Sequence, residues 1–165
     1  MEINWIIVLA TGLIPVLMGF VWYHPSLFGN VWAKEAGVSE ADLQNFNVVK
    51  VMGLSLVFGM MLAVFLTTVV IHQMGVMASL SVPEMQQEGS EVSLYFKDYM
   101  SRYGTNFRSF GHGVLHGVMA GLFILLPVIG TNALFERKSW KYILLNVGFW
   151  TICSAIMGGI ICGFA

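Results

Sequence analysis

Charge is what this chain has least of. Lys, Arg, Asp and Glu make up 10% of its 165 residues, where a soluble domain carries about 25%. So few charges cannot cover a water-facing surface. A basic block is missing too, and the net charge is −1, so nucleic acid is excluded as a partner. Cysteine is scarce: Cys153 and Cys162 stand alone. Their separation puts them half a turn out of phase on one helix, so they cannot bond to each other. They read as small buried apolar residues. The chain has no GxSxG, HExxH, P-loop or Rossmann glycine pattern, and an enzyme is not expected. No Asp, Glu, Lys or Arg falls at the middle of an apolar run, where a coupling ion or proton relay usually shows itself. A signal peptide's basic start is absent as well. Glu2 stands there, and the first run ends in Trp22-Tyr23 where a cleavage site needs small residues.

What remains is apolar. Hydrophobic residues make up 57% of the chain, and they gather in four runs, about 3–22, 48–72, 110–134 and 142–164. Each is near the ~20 residues a helix needs to cross a bilayer. Trp5, Trp22 and Tyr23 mark interfaces. Pro15 removes the donor that the Thr11 carbonyl needs, and Pro127 predicts a kink in the third run. After the first run His24-Pro25 turns the chain, and Phe28 with Trp32 predicts a short helix at headgroup level. Ser39 and Asp42 predict a capping turn before the second run. Thr67 and Thr68 are placed to bond back to carbonyls a turn earlier.

The connection 73–109 is the long polar one. Within it Tyr95, Phe96, Tyr99, Met100 and Tyr103 share one helical face, and Lys97, Asp98, Ser101 and Arg102 share the other. The sequence therefore predicts an all-α membrane protein. It is one integral domain, 1–165, built as a four-transmembrane-helix bundle with an amphipathic interfacial helix between the second and third helices. Lys34, Lys50, Arg137, Lys138 and Lys141 fall on one side of that threading, and Lys97, Arg102 and Arg108 on the other. The bias puts the two short loops in the cytoplasm, with both termini and the 73–109 loop on the outer side.

The run 110–134 looks like the organising one. Gly113, Gly117 and Gly121 recur every fourth residue, and Ser109 extends the row. Such a row lets another helix backbone approach closely, which drives association where lipid removes the hydrophobic term. Gly53 and Gly59 are weaker contact points on the second run. Gly159 and Gly163 form a GxxxG pair on the fourth, with Gly158 beside it. Two such faces exceed what one bundle requires. They point to an assembly or accessory subunit, with a homo-oligomer or a membrane-protein partner on one face and the lipid bilayer around it.

Four histidines need weighing. The threading puts His24 on the inner side, while His72, His112 and His116 meet the outer side at similar depth. Neutral imidazoles four apart on a helix suit zinc, copper or haem iron. Met74, Met77 and Met119 are nearby soft donors. Against this, helix ends tolerate histidine, and no carboxylate in the second or third run is available to orient a ring. No cofactor is therefore the default, with a metal or haem site on His72, His112 and His116 as the alternative. A small-solute transporter working as an oligomer is a further alternative, because Pro15 and Pro127 break two helices.

Trp22 to Trp32 (WYHPSLFGNVW), Lys34, Asn132, Leu134-Phe135-Glu136, Ser139-Trp140-Lys141 and Asn146 carry a resemblance. In order and spacing they are similar to the small bacterial four-helix membrane proteins of "domain of unknown function seventeen sixty-one". It covers both helix pairs and leaves 73–108 uncovered. It implies a four-span fold in the bacterial inner (cytoplasmic) membrane, no assigned activity and no catalytic residue. Leu27-Phe28, Trp32 and Lys34 also echo Leu134-Phe135 and Trp140-Lys141, a pattern that a two-plus-two repeat would leave.

Overall fold

A computed structural model describes residues 3–39, 41–42 and 47–165. Glu2 and residues 40 and 43–46, which include part of the segment expected to lead into the second run, lie outside the described residues. Among the described residues every regular element is helical. We label them α1 (Trp5–Trp22), α2 (Asn30–Ala36), α3 (Val48–Val70), α4 (Gln73–Ser79), α5 (Glu91–Tyr103), α6 (Phe110–Phe135) and α7 (Trp140–Phe164). Helices α1, α3, α6 and α7 are long and apolar enough to cross a membrane. Their outer faces carry large apolar side chains in the open, among them Ile6, Phe20, Val49, Phe58, Phe123 and Leu144. Exposure on that scale suits lipid, not water.

Side-chain caps set several helix starts. Asn4, Asn47, Ser90, Ser109 and Ser139 each accept a hydrogen bond from a backbone amide three residues on. Ser109 thus works as an exposed cap and does not extend the glycine row. Ser139 starts α7 at Trp140, slightly before the expected 142. Pro15 divides α1: the first part ends at Thr11 and the second restarts at Ile14. Thr11 Oγ1 donates to the Val8 carbonyl at 2.7 Å beside the break. Pro127 acts differently. A π-helical turn, Gly121–Leu125, precedes it and lets α6 run on to Phe135. The wider turn absorbs the missing amide and the ring. Thr67 and Thr68 donate back to the Ala63 and Phe65 carbonyls, as expected.

The organising helix is α7, not α6. Half of the α7 apolar window is buried inside the protein, against 28% or less for the other three. Helix α7 touches α1, α2, α3 and α6, and its contact with α6 is the most extensive in the molecule. Gly113, Gly117 and Gly121 face Gly158, Ser154 and Thr151 of α7. A Cβ on Gly117 would lie 2.5 Å from the Ser154 carbonyl carbon and 2.6 Å from Ala155 Cα. Gly159 and Gly163 meet Phe110 and Val114 of α6 from the other side. The two small-residue faces are therefore one interface. The surplus face that pointed to a partner has an internal use.

Helices α1 and α3 cross at a second glycine contact. A Cβ on Gly59 would lie 3.2 Å from the Gly12 carbonyl carbon, and one on Gly12 would lie 2.8 Å from the Met60 amide. Gly12, beside the Pro15 break, was not among the expected contact points. Gly53 was, yet it faces open space.

The loops bring one end of the molecule together. Lys138 Nζ donates to the Ala36 carbonyl at 2.6 Å, and Ser139 Oγ bonds to Glu35. Phe28 and Trp32 fold back onto α1, with ring centroids 4.5 Å from Trp22 and 5.1 Å from Tyr23 respectively. At the opposite end the Asn4 amide donates to the Ala165 carbonyl at 3.0 Å.

The Ser39 turn closes as a reciprocal cap. Ser39 Oγ and amide donate to Asp42 Oδ2 at 2.6 and 3.0 Å, and the Asp42 amide donates to Ser39 Oγ at 3.2 Å. These bonds, led by the hydroxyl, hold the Asp42 carboxyl below its ordinary value. The cap should thus be complete above the ordinary carboxylate range and weaken as pH falls through the lowered value. Ser39→Ala is expected to raise the Asp42 titration midpoint read by carboxyl NMR. An unmoved midpoint would leave the carboxylate held by something else.

A three-histidine cluster as candidate metal centre

His112 and His116 stand one turn apart at the start of α6, on the row beside the glycines. Burial of Gly113 and Gly117 against α7 fixes the rotation of α6, and with it the side of the helix on which both rings stand. His72 reaches them by a break that periodicity does not show. Helix α3 ends at Val70, short of the expected His72. Ile71 is extended (φ −105°, ψ 95°) and buried, and His72 begins the turn into α4. Continued helix would have carried His72 onward along the α3 axis.

The result is a triangle of ring nitrogens. His72 Nε2 lies 3.1 Å from His116 Nε2 and 3.4 Å from His112 Nε2, and the His112–His116 distance is 3.0 Å. The rings meet edge-on, with centroids 4.5–4.9 Å apart. Among the described residues no other His, Cys, Asp or Glu joins the group.

Three neutral imidazoles cannot satisfy this triangle alone. Each Nε2 is either an N–H donor or a lone-pair acceptor. With three atoms and two roles, at least two share a role and oppose each other. A cation at the centre removes the conflict, because all three then present lone pairs. Zinc at about 2.0–2.1 Å from each nitrogen in tetrahedral array would separate the nitrogens by about 3.3 Å. The observed 3.0–3.4 Å brackets that value.

The surroundings hold the cluster in ways the sequence did not advertise. Gln73, almost fully buried, donates through Nε2 to the Tyr103 and Asn106 carbonyls, both at 2.9 Å. That ties the residue after His72 to the end of α5 and to the loop entering α6. Cys162 Sγ lies 3.3 Å from the Val70 carbonyl and 3.2 Å from that of Phe107, so its thiol bridges the end of α3 and the same loop. Arg108 Nε donates to the Cys162 carbonyl at 3.0 Å, closing the α7 terminus. A polar role for Cys162 was not expected. Both cysteines are free and buried, as expected.

Phe107 is the strained member. Its φ is 61°, in the left-handed region, which costs a bulky residue about 1–2 kcal/mol. Its ring centroid lies 5.7 Å from that of His72 and 5.2 Å from that of His112. Among the described residues no protein group accepts from the three Nδ1 atoms, so ring contact stands in for the usual hydrogen-bonded support. Of the soft donors considered, Met74 packs into the core, while Met77 and Met119 are exposed. His24 is far from the cluster, at the α2 end, where its Nδ1 accepts from the Ser26 amide at 3.2 Å.

A concavity of about 230 Å³ lies at that far end, lined by Asn132, Glu136, Tyr142, Asn146 and Trp150 among others. Its polar groups are partly engaged: Asn146 Nδ2 donates to the Tyr142 carbonyl, and Tyr23 Oη donates to Asn146 Oδ1. Several residues behind the resemblance described above line it. No group of metal-binding side chains gathers there among the described residues.

A family model described as Protein of unknown function (DUF1761) matches residues 5–162, a span that includes the polar connection. No curated protein and no solved structure matches the chain.

Proposed function

The chain belongs to the family described as Protein of unknown function (DUF1761), and on that premise we propose a multi-pass membrane protein that binds a first-row transition-metal ion through His72, His112 and His116. One observation carries the reading: three Nε2 atoms from two separate segments sit within 3.0–3.4 Å of one another. Zinc and copper are the ions that such an imidazole set suits best. Haem fits less well. Its axial nitrogens stand on opposite faces of the iron, whereas these three share one side of a point. The role in this reading is ion binding.

In this reading the four long helices form a bundle in the bilayer, and α5 rests on the membrane surface. Leu94, Tyr95 and Tyr103 of α5 are exposed, and its polar face carries the Asp98–Arg102 pair at 3.0 Å. The basic bias puts the cluster on the outer side. The assembly reading loses its main support, because the glycine rows of α6 and α7 face each other. Labelling of a single cysteine placed at Ser139, with Cys153 and Cys162 replaced, tests the orientation. Reaction from outside would reverse it.

The metal reading predicts about one ion per chain after purification without chelator. After stripping, added Zn²⁺ should raise the unfolding temperature. Stabilisation should approach about 2.7 kcal/mol at one hundred times Kd. Protein that stays metal-free and gains nothing from Zn²⁺ or Cu⁺ overturns the reading.

A further inference from the structure

We propose that the three-imidazole site keeps a fourth coordination position for a small exogenous donor, water or a monodentate anion, and that Phe107 governs entry to it. The inference rests on the metal reading above. It draws on three further observations.

The first is the donor count. A tetrahedral ion needs four donors, and this cluster supplies three. Three nitrogens at 3.0–3.4 Å from each other would occupy one face of a tetrahedral ion, and the group holds no fourth His, Cys, Asp or Glu among the described residues. Closed structural sites take four protein ligands, and open sites take three plus an exchangeable one.

The second is access. His72 is exposed, and His112 and His116 are both half-buried. Phe107 packs against the His72 and His112 rings, while His116 is further along α6 beside the glycine contact with α7. Phe107 is itself 63% exposed. It therefore stands at the boundary between the imidazoles and the surroundings.

The third is strain. A bulky side chain at φ 61° persists only where neighbours over-determine it. They do so here. The Phe107 carbonyl accepts from the Cys162 thiol and from the Ser109 amide, Asn106 is tied to Gln73, and Arg108 is tied to the Cys162 carbonyl. Glycine would adopt this backbone freely, and Phe107 is held there with its ring on the histidines. Hydrogen-bonded support for the Nδ1 atoms is lacking among the described residues, so the Phe107 ring is the side chain that flanks both His72 and His112. Phe107 is a positioning residue in this sense.

The test uses the full chain in detergent or nanodiscs, loaded with Co²⁺ as a visible stand-in for Zn²⁺. Sodium azide is the exogenous probe. Azide should change the Co²⁺ absorption of the wild type. Phe107→Gly should admit azide, and release metal to EDTA, about tenfold faster, the size of effect that outer-shell changes produce. Phe107→Leu, which keeps apolar bulk at the same strained backbone, should fall between. Metal-free Phe107→Gly should unfold at the same temperature as wild type or higher, because glycine relieves the backbone. That comparison separates a gate from a merely structural residue. A Co²⁺ spectrum insensitive to azide in both proteins overturns the open position. Equal rates in wild type and Phe107→Gly overturn the gating role. Wild type that takes up no Co²⁺ or Zn²⁺ removes the metal reading itself.

Discussion

Gly117→Ala is expected to lower the unfolding temperature sharply, and Gly117→Leu to prevent recovery of folded protein. In an open helix the Ala change would help, by about 1 kcal/mol. Here the new methyl would meet the backbone of Ser154 and Ala155, at 2.5 and 2.6 Å. Backbone cannot rotate aside as a long side chain can, so α6 and α7 must separate. Overpacking of a filled core costs about 1–3 kcal/mol, and forced separation of the most extensive helix contact should lie at the upper end. Periodicity alone predicts a graded series with Ala mild. The backbone contact predicts that Ala already costs most of what Leu does. Gly53→Ala is the matched control, since a Cβ there meets nothing within 4 Å. It should be neutral or stabilising. Thermal unfolding in detergent reads Gly117→Ala and Gly53→Ala, and the yield of folded protein on size exclusion reads Gly117→Leu. Equal behaviour of Gly117→Ala and Gly53→Ala would mean that α6 and α7 do not touch at this row.

His116→Ala is expected to abolish stoichiometric metal. Structural zinc sites bind with roughly 10–16 kcal/mol. One imidazole among so few ligands should therefore be worth about 3–4 kcal/mol, a loss on the order of a thousandfold in affinity. His72→Ala and His112→Ala should behave alike, because the three nitrogens are nearly equidistant. His24→Ala should keep the metal, since its ring is occupied at the other end of the protein. Metal-free protein should respond differently. Losing one imidazole relieves the donor–acceptor conflict in the triangle, so apo His116→Ala should unfold no earlier than apo wild type. Metal content by mass spectrometry and apo unfolding temperature give the two readings. Retention of full metal by all three single variants would move the site elsewhere.

Much of the fold was legible because one physical requirement dominates it. Helices able to cross a bilayer need an uninterrupted apolar run, and four such runs are plain in the sequence. Their ends shifted by a few residues, set by Asn and Ser caps and by the extended Ile71. Glycine spacing showed correctly which face of α6 is close-packed, since a side chain on that face excludes a neighbour whatever the neighbour is. Spacing did not say what the neighbour was. The α6 and α7 rows looked like two faces with two uses and are one contact. Gly12 was missed because a lone glycine has no period.

The candidate site divides the same way. The i, i+4 pair His112 and His116 is a local property of a helix, and sequence alone determines it. The four runs, the Ser39–Asp42 cap and the amphipathic α5 are local in the same sense. His72 joins only because α3 stops at Val70, and Phe107, Gln73 and Cys162 matter only because three chain segments meet there. The position of α7 at the centre was equally hidden. It is apolar on every side, so its periodicity points in no direction. In lipid, apolar residues mark depth but not neighbours, because tails and side chains are equally good company. Which helix lies inside, and which imidazoles share a point, is decided by where backbones can touch, and that is a property of the folded chain.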